Sequence, residues 1–371
     1  MVSKKYSVIT KGLFLLISLL LTPSVLAVNC DYYITSLPYD ITDAGKTYCL
    51  NQSLTTTSYG IKYVNNTFNE TYLYCFGNKI IGSGSNIGII YGNLLGTGKY
   101  LKSYDCEIEG FYNGVVTVTS NTLWIENFTI RNVTNGVWIQ DYTGDYARIL
   151  NSFINSSSYG IYMDGIGGAT NDHLIDGNKI YSDIGIYAVK DCSNTYRNNI
   201  IVARIGFKSS NTYGTSTFYN NLFNVSEKYT DIVSDFLIKF NTTKTLGTNI
   251  VGGPYIGGNY WGFWNRSGYS DTCTDSDSDG ICDSPLLLAT VNTTELYDYL
   301  PLAIYVPPTP MTLREVSPLI YYLVVVGTGL MFVEWIYGMI EELRPGLKGI
   351  IEALIALVGI LAIASLIQVL V

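Results

Sequence analysis

The sequence has very little histidine and few charged residues. Of 371 residues, His173 is the one histidine, and Asp, Glu, Lys and Arg together make up 14%. A single imidazole argues against a multi-histidine zinc enzyme and against a Ser-His-Asp hydrolase as the central chemistry. Low charge combined with 47% apolar residues excludes an intrinsically disordered chain. The net charge of −8 argues against nucleic acid as a partner.

The N-terminus has the composition of a secretory signal peptide over residues 1–27. Three lysines surround the start of the apolar run Gly12–Leu21, and a small-residue cleavage pattern ends at Ala27. We therefore expect a mature chain that begins at Val28. An uncleaved anchor helix is the alternative, although the apolar run is short for a membrane span.

The C-terminus has two apolar segments long enough to cross a bilayer. Ser317–Ile340 and Leu347–Val371 each exceed the ~20 residues that a spanning helix needs. Between them lies a charged turn that contains Pro345, which a helix interior does not tolerate. We predict a transmembrane helical hairpin over 317–371 that anchors the chain in a lipid bilayer, preceded by a stiff Pro-rich linker over 306–316.

Two acidic residues of the predicted hairpin allow two interpretations. Glu334 and Glu352 both lie near the turn end of their helices. They either extend toward the bilayer surface or mark a helix–helix contact in a homo-oligomer.

A repeat of about 24 residues occupies the middle of the chain. Each unit is a short run ending in an apolar residue (Ile in most units), a polar turn, and a glycine followed by alternating residues. The glycines that mark the units are Gly60, Gly88, Gly114, Gly136, Gly160, Gly185 and Gly206. Such a period, with alternation inside each unit, predicts an all-β fold, a right-handed parallel β-helix built as a single-stranded solenoid. The predicted parts are an N-terminal cap over 28–58, coils over 59–225 and a C-terminal cap over 226–305.

Motifs at both ends of the repeat carry a family resemblance. Cys75–Gly84 followed by Gly88-Ile89 resembles the N-terminal coil of right-handed β-helix proteins of the NosD / pectate-lyase-like superfamily. Gly258–Gly262, then Asp279–Pro285 and Asp298–Leu302, is similar to the end segment of NosD-like surface proteins common in archaea.

The resemblance covers about residues 30–303 and implies a fold more strongly than an activity. NosD-type proteins are associated with copper delivery. This chain has one histidine, and its five methionines are mostly terminal. We therefore do not expect the copper function to carry over.

An acidic loop in the C-terminal cap has the spacing of a calcium site. Asp275, Asp277 and Asp279 alternate with serines ahead of a glycine, as in the first half of a calcium-binding loop. The Ile281 carbonyl and Asp283 complete the candidate ligand set for a structural Ca²⁺. A solvated acidic turn is the alternative.

Seven cysteines, all between residues 30 and 282, suit an oxidising compartment. The sequence favours two disulfides, Cys30 with Cys49 and Cys273 with Cys282. The other three cysteines fall on repeat units, where we expect small buried residues; they are Cys75, Cys106 and Cys192.

Ten Asn-X-Ser/Thr sequons predict a glycoprotein. The candidate glycosylation sites are Asn51, Asn65, Asn69, Asn127, Asn132, Asn155, Asn224, Asn241, Asn265 and Asn292.

The alternation after each repeat glycine predicts which residues face outward. The second residue after successive glycines stacks Val116, Trp138, Tyr162, Tyr187 and Lys208, and the fourth stacks Val118, Gln140, Asp164 and Val189. Sugar rings stack on aromatic faces, so Trp138, Tyr162 and Tyr187, with Gln140 and Asp164, form a candidate glycan site. Alternatively, these aromatic pairs only stabilise an exposed sheet.

Three classes of function remain open. The first is a membrane-anchored surface glycoprotein, of a cell or a virion envelope, that displays the β-helix for glycan or surface binding. The second is a carbohydrate-active enzyme. For a glycoside hydrolase the candidate carboxylates are Asp141 with Asp164, or Asp172 and Asp176 beside His173. For a polysaccharide lyase, which needs a base near bound calcium, the candidate is Arg148. The third is a purely structural envelope component. No signature run of β-helix lyases or hydrolases is present, which disfavours the second class.

Overall fold

A computed structural model describes residues 28–64, 69–92, 101–118, 123–141, 146–165, 172–191, 193–212, 214–234 and 237–305. The chain divides into two units, Met1–Val306 and Pro307–Val371, and all described residues lie in the first. The predicted signal peptide, linker and membrane hairpin therefore lie outside the described residues. Within the described ranges, no helix is long and apolar enough to cross a membrane.

Two parallel sheets, of ten and thirteen strands in the described residues, wind along the chain. The first sheet contains, in spatial order, β1 (Tyr32–Tyr33), β3 (Thr47–Cys49), β6 (Thr71–Tyr74), β9 (Leu101–Tyr104), β12 (Leu123–Glu126), β14 (Ala147–Leu150), β16 (Leu174–Asp176), β18 (Thr195–Arg197), β20 (Ser216–Tyr219) and β22 (Ile238–Lys239). Neighbours in space are separated by a whole coil in sequence, which is the topology of a solenoid.

The second sheet covers two faces of the solenoid. Its main path is β2 (Tyr39–Ile41), β5 (Ile61–Tyr63), β8 (Ile87–Tyr91), β11 (Asn113–Thr117), β13 (Thr129–Asp141), β15 (Phe153–Gly165), β17 (Lys179–Asp191), β19 (Ile200–Thr212), β21 (Leu222–Val233) and β25 (Tyr260–Phe263). Three short strands continue the same sheet: β4 (Leu54–Thr55), β7 (Lys79–Ile81) and β10 (Glu107–Glu109). They pair in that order, and β10 pairs with the first residues of β13. Register shifts inside β13, β15 and β19 mark the corner between the two faces.

The fold is thus a parallel β-helix of about seven turns, which confirms the predicted solenoid. Parallel stacking extends beyond the predicted coil range of 59–225 at both ends. Strands β1 to β4 already pair with later coils, and β25 pairs with β21. Two antiparallel hairpins and one helical turn complete the C-terminal end: β23 (Thr245–Leu246) with β24 (Tyr255–Ile256), β26 (Leu286–Val291) with β27 (Thr294–Asp298), and α1 (Tyr269–Thr272).

Three disulfides stabilise the described chain. Both predicted pairs, Cys30–Cys49 and Cys273–Cys282, are present. Cys75 and Cys106, expected only as small buried residues, are fully buried and bonded to each other across 31 residues of sequence. This third bond links successive coils and constrains the unfolded chain. Cys192 lies outside the described residues.

The repeat glycines form a ladder in which each coil approaches the next too closely for a side chain. A Cβ added to any of them would lie 2.3–2.8 Å from a carbonyl oxygen of the following coil. It would also lie 2.3–2.6 Å from a side-chain carbon of the adjoining core column. The seven members of that column are Ile80, Ile108, Ile130, Ile154, Ile180, Ile201 and Phe223, all buried and in register.

Buried asparagines form a second ladder, in which side chains of successive coils are joined by hydrogen bonds. The ladder ends at a carboxylate. The side-chain oxygen of Asn199 accepts from the backbone N–H and the side-chain amide of Asn178, and Asn221 does the same for Asn199. Asn259 repeats the pattern for Asn221. The last rung is Asp298, which accepts from the backbone of Asn259 at 2.8 Å. Each buried amide in the row is therefore satisfied by the coil that follows it.

Asp298 explains the Gly258–Gly262 motif. A Cβ on Gly258 would lie 2.0 Å from the carboxylate, so a glycine is required there. The indole nitrogen of Trp261 donates to Asp298 at 2.8 Å, and its ring stacks on Phe223 with centroids 4.4 Å apart. The motif thus closes the last coil around a carboxylate that is fully buried.

We predict that Gly136→Ala strongly destabilises the fold. The new Cβ would lie 2.3 Å from Ile154 and 2.4 Å from the carbonyl oxygen of Gly160, and neither neighbour can move without displacing a coil. Overpacking of this kind costs ~1–3 kcal/mol or more. Thermal or urea unfolding measures the loss. The matched control is Gly247→Ala, whose Cβ would meet only the side-chain end of Ile256 at 3.2 Å; equal stability of both variants would contradict the close-approach explanation.

We also predict that the described fold becomes less stable as pH rises from 5 to 8. Burial raises the pKa of Asp298 from 3.8 to about 7, so in this range the folded chain binds a proton that the unfolded chain has lost. Stability therefore decreases up to about pH 7 and stays lower above it. Melting curves across this range measure the slope.

The Asp298→Asn variant removes the titrating group and should flatten that slope. Carboxylates with a lowered pKa, such as Asp183 bonded to Arg204, do not cause a slope between pH 5 and 8. Their stabilisation is constant in this range and is lost only when pH falls below it. An unchanged slope in Asp298→Asn would assign the pH dependence to another group.

Candidate functional site

The predicted aromatic column is present and in register. Trp138 pairs with Tyr162, Tyr162 with Tyr187, and Tyr187 with Lys208 on successive strands. The ring centroids of Trp138 and Tyr162 are 5.7 Å apart, and those of Tyr162 and Tyr187 are 5.2 Å apart. The Lys208 ammonium lies 5.4 Å from the Tyr187 ring, as a cation–π contact. We call Trp138, Tyr162, Tyr187 and Lys208 the aromatic ladder.

The ladder differs from the prediction at its N-terminal end. Val116 is in register with Trp138 but is only 2% exposed, so the accessible part of the column begins at Trp138. The four ladder residues themselves are half-buried.

The rings of the ladder cover one another's faces. Tyr162 stacks on Tyr187 and also on Tyr159, at 5.2 Å, and Lys208 lies over Tyr187. A sugar that needs a free aromatic face therefore finds none in the middle of the column. What these rings offer to a ligand is their edges and hydroxyl groups.

A polar row runs beside the ladder. Gln140 is in register with Asp164, and both are half-buried. Burial and the nearby Asp164 carboxylate raise the pKa of Tyr162 to about 12, so its hydroxyl stays a hydrogen-bond donor at neutral pH. The indole N–H of Trp138 is shielded from solvent and has no hydrogen-bond partner among the described residues. The row combines donors and acceptors at the regular spacing of the coils.

The acidic loop brings three of the predicted ligands together. One carboxylate oxygen from each of Asp275, Asp277 and Asp283 lies within 4.8 Å of the others. Asp279 points elsewhere, since its carboxylate pairs with the Lys244 ammonium and accepts from the backbone of Ile281. Oxygen ligands in such a group suit a hard divalent cation.

Hydrogen bonds and a disulfide fix the shape of the acidic loop. The carboxylate of Asp275 accepts from the backbone of Asp279 at 3.1 Å and of Gly280 at 2.8 Å. Hydrogen bonds from Ser276 lower the pKa of Asp283. The Cys273–Cys282 bond brackets the loop, so its backbone is restrained at both ends.

The groups considered for an enzyme have structural partners. His173 is 2% exposed. Its ring Nδ1 accepts a hydrogen bond from the backbone N–H of Ala147, and its backbone N–H donates to the side-chain oxygen of Asn194. Asp172 lies beside Arg148, 3.8 Å from its guanidinium. Asp176 is bound by Arg197 at 2.8 Å and by Asn198 at 2.6 Å. The side chain of Asp141 lies outside the described ones.

None of the nine described sequon asparagines is buried. Two are half-buried, Asn224 and Asn241, and the others are exposed: Asn51, Asn69, Asn127, Asn132, Asn155, Asn265 and Asn292. Asn65 lies outside the described residues.

One feature of the surface was not predicted from the sequence. A cleft with a volume of about 700 Å³ lies at the C-terminal end of the solenoid, beside the exposed residues Trp264 and Arg266. The sequence signal beside it is the tryptophan of the run Trp264–Ser267, and a single aromatic residue in a polar turn is too common to predict a cleft.

Comparison with known proteins identifies one family. The model described as "Periplasmic copper-binding protein (NosD)" matches residues 44–265, which is more than half of the chain. No curated protein and no solved structure matches.

The described residues do not fit a copper site. Copper is bound in proteins mainly by histidine, cysteine and methionine. The six described cysteines are all in disulfides, and the buried His173 ring already accepts a hydrogen bond. Met163 is 4% exposed and contacts the Tyr196 hydroxyl. In the described part of the chain, the one group that could hold a metal consists of carboxylates.

The parallel coils, the disulfides and the family match together indicate an extracellular or periplasmic protein, and the chain belongs to the NosD family.

Proposed function

We propose that this protein is a membrane-anchored surface protein, of a cell or a virion envelope, that binds an extended glycan along the aromatic ladder. The anchor is the hairpin predicted over 317–371, and the solenoid is the part that meets the ligand. The observation that carries the proposal is the alignment of Trp138, Tyr162 and Tyr187 on three successive coils.

The ladder geometry suggests how such a ligand is held. Because the ring faces are occupied, the sugar contacts ring edges and bonds to the hydroxyls of Tyr162 and Tyr187. The side chains of Gln140 and Asp164 add an amide and a carboxylate that can bond to sugar hydroxyls.

A polymer ligand suits this face better than a single sugar. Successive rungs are separated by one strand spacing, about 4.8 Å, and three of them present an aromatic ring. A chain of repeated sugar units can bond to several rungs at once, so weak contacts add up along the solenoid.

We predict that Tyr162→Phe weakens glycan binding two- to ten-fold, while Trp138→Ala abolishes it. The first change removes one hydroxyl and keeps the ring stack, which corresponds to about 0.5–1.5 kcal/mol. The second removes the first ring of the accessible column. Binding of the full-length chain in mild detergent to a polysaccharide array measures both effects.

The control for these variants is Tyr181→Phe. Tyr181 is 38% exposed and its ring packs at a tilt against Phe153, with centroids 5.6 Å apart, but it lies outside the ladder. Full binding by this variant, together with the losses above, would support the ladder as the site. Equal binding by wild type, Tyr162→Phe and Trp138→Ala would refute it.

We propose a structural role for the acidic loop as a calcium site. Asp275, Asp277 and Asp283 supply the carboxylates that lie together, and Asp279 and the Ile281 carbonyl complete the set when Lys244 is displaced. A bound cation would fix the loop against the last coil, because Ile281 bridges to Leu302.

We predict that a chelator lowers the melting temperature by a few degrees and that added Ca²⁺ restores it, since a ligand that binds the folded state stabilises it. Asp277→Asn should abolish this response. Lys244→Gln should strengthen calcium binding, because it removes the cation that pairs with Asp279. A melting temperature that is the same with chelator and with Ca²⁺ would refute the calcium site.

A further inference from the structure

The cleft at the C-terminal end of the solenoid is separate from the aromatic ladder. It has a volume of about 700 Å³, an apolar floor that includes Leu222 and Ile250, and a rim formed by the turn 263–268. Ile304 and Tyr305 close another side. A concave site with an apolar floor and a few polar groups is typical of small-ligand binding.

The indole of Trp264 is exposed and held in place. The side chain is 58% exposed, and its ring nitrogen donates to the carbonyl oxygen of Asn224 at 2.8 Å. The backbone N–H of Trp264 donates to Val225 at 3.0 Å. No other aromatic ring in the described part of the chain stacks on it, in contrast to the rings of the ladder. Trp264 therefore offers the free aromatic face that the ladder lacks.

The guanidinium of Arg266 has no carboxylate partner in the described part of the chain. Arg266 is exposed, and no described residue forms an ion pair with it. The other described arginines are all paired with carboxylates; they are Arg131, Arg148, Arg197 and Arg204. The unpaired guanidinium at the cleft is therefore free to pair with an anionic group of a ligand.

The turn that carries both residues is rigid. Asp271 accepts hydrogen bonds from the Tyr260 hydroxyl at 2.6 Å, from the Phe263 backbone at 3.0 Å and from the Gly268 backbone at 2.8 Å. Arg266 also adopts φ 60°, a left-handed conformation that is uncommon for a side chain of this size. The exposed indole and the backbone of Arg266 are thus held on one rim of the cleft.

We propose that this cleft binds an acidic sugar, with the sugar ring on the face of Trp264 and its carboxylate on the guanidinium of Arg266. A neutral sugar would leave Arg266 unpaired, and a simple anion would not use the indole, so the two groups together select a ring that carries a charge. The inference extends the proposed glycan binding to a second site and uses none of the ladder residues.

The test compares a tetraglucuronate with its methyl ester, which keeps the sugar rings and removes the charge. The full-length chain is prepared in a host without N-glycosylation, because Asn224 and Asn265 at this cleft are predicted glycosylation sites. Calorimetry should show the acid binding at least about five-fold more tightly than the ester. Trp264→Ala should weaken both ligands about ten-fold or more. Arg266→Gln should bind acid and ester equally.

Ladder variants separate this proposal from the previous one. Tyr162→Phe should leave the Trp264-dependent part of tetraglucuronate binding and its preference for the acid unchanged, because it alters no residue of the cleft. Each cleft variant should melt at the wild-type temperature, which shows that it is folded. If Trp264→Ala is unstable, Trp264→Phe replaces it, because phenylalanine keeps an aromatic face. No binding by wild type, equal binding of acid and ester, or full binding by both tryptophan variants would overturn the proposal. Trp264-dependent binding to anionic lipid vesicles without sugar binding would overturn it in favour of a membrane contact.

Discussion

The close approach of successive coils at the glycine ladder is the contact on which the rest of the structure depends. At Gly60 through Gly206, the backbone of one coil lies against the carbonyl of the next and against an isoleucine column. Any side chain there would push the coils apart and break the register of the neighbouring strands. Because register is set by this contact, the residues two positions after each glycine align on the surface. The alignment of the aromatic ladder is therefore a consequence of how the core packs.

Stacking of coils also has a consequence at the C-terminal end of the solenoid, where no further coil follows the last one in the described part of the chain. The last coil would leave buried amides of the asparagine ladder without a partner, which costs free energy. Asp298 meets this need, since its carboxylate accepts from Asn259, Trp261 and Leu300. A buried carboxylate without a cation is itself costly, and its raised pKa is the sign of that cost. Closing the solenoid thus introduces a titrating group into its core.

Features set by repetition could be predicted from the sequence, and features set by the ends could not. The period of the glycines and the alternation after them predicted the solenoid and the register of Trp138, Tyr162 and Tyr187, because one rule applies to every coil. The occupied ring faces were not predictable, since they depend on side-chain angles and on Tyr159 from the corner. The Cys75–Cys106 bond was also missed, because cysteines on repeat units were expected to be separate buried residues. The Trp264 cleft was missed because its residues lie outside the repeated positions.

This division suggests why the two proposed glycan contacts differ in kind. Identical rungs can form only a flat, periodic surface, which suits a long polymer and discriminates little between its sugars. A concave site needs residues that do not repeat, and those are found where β25, the turn after it and Tyr305 meet. The ladder would then supply the length of the contact and the cleft would supply its selectivity for charge. A surface protein built in this way gains specificity at the end of its solenoid without changing the repeat that holds the solenoid together.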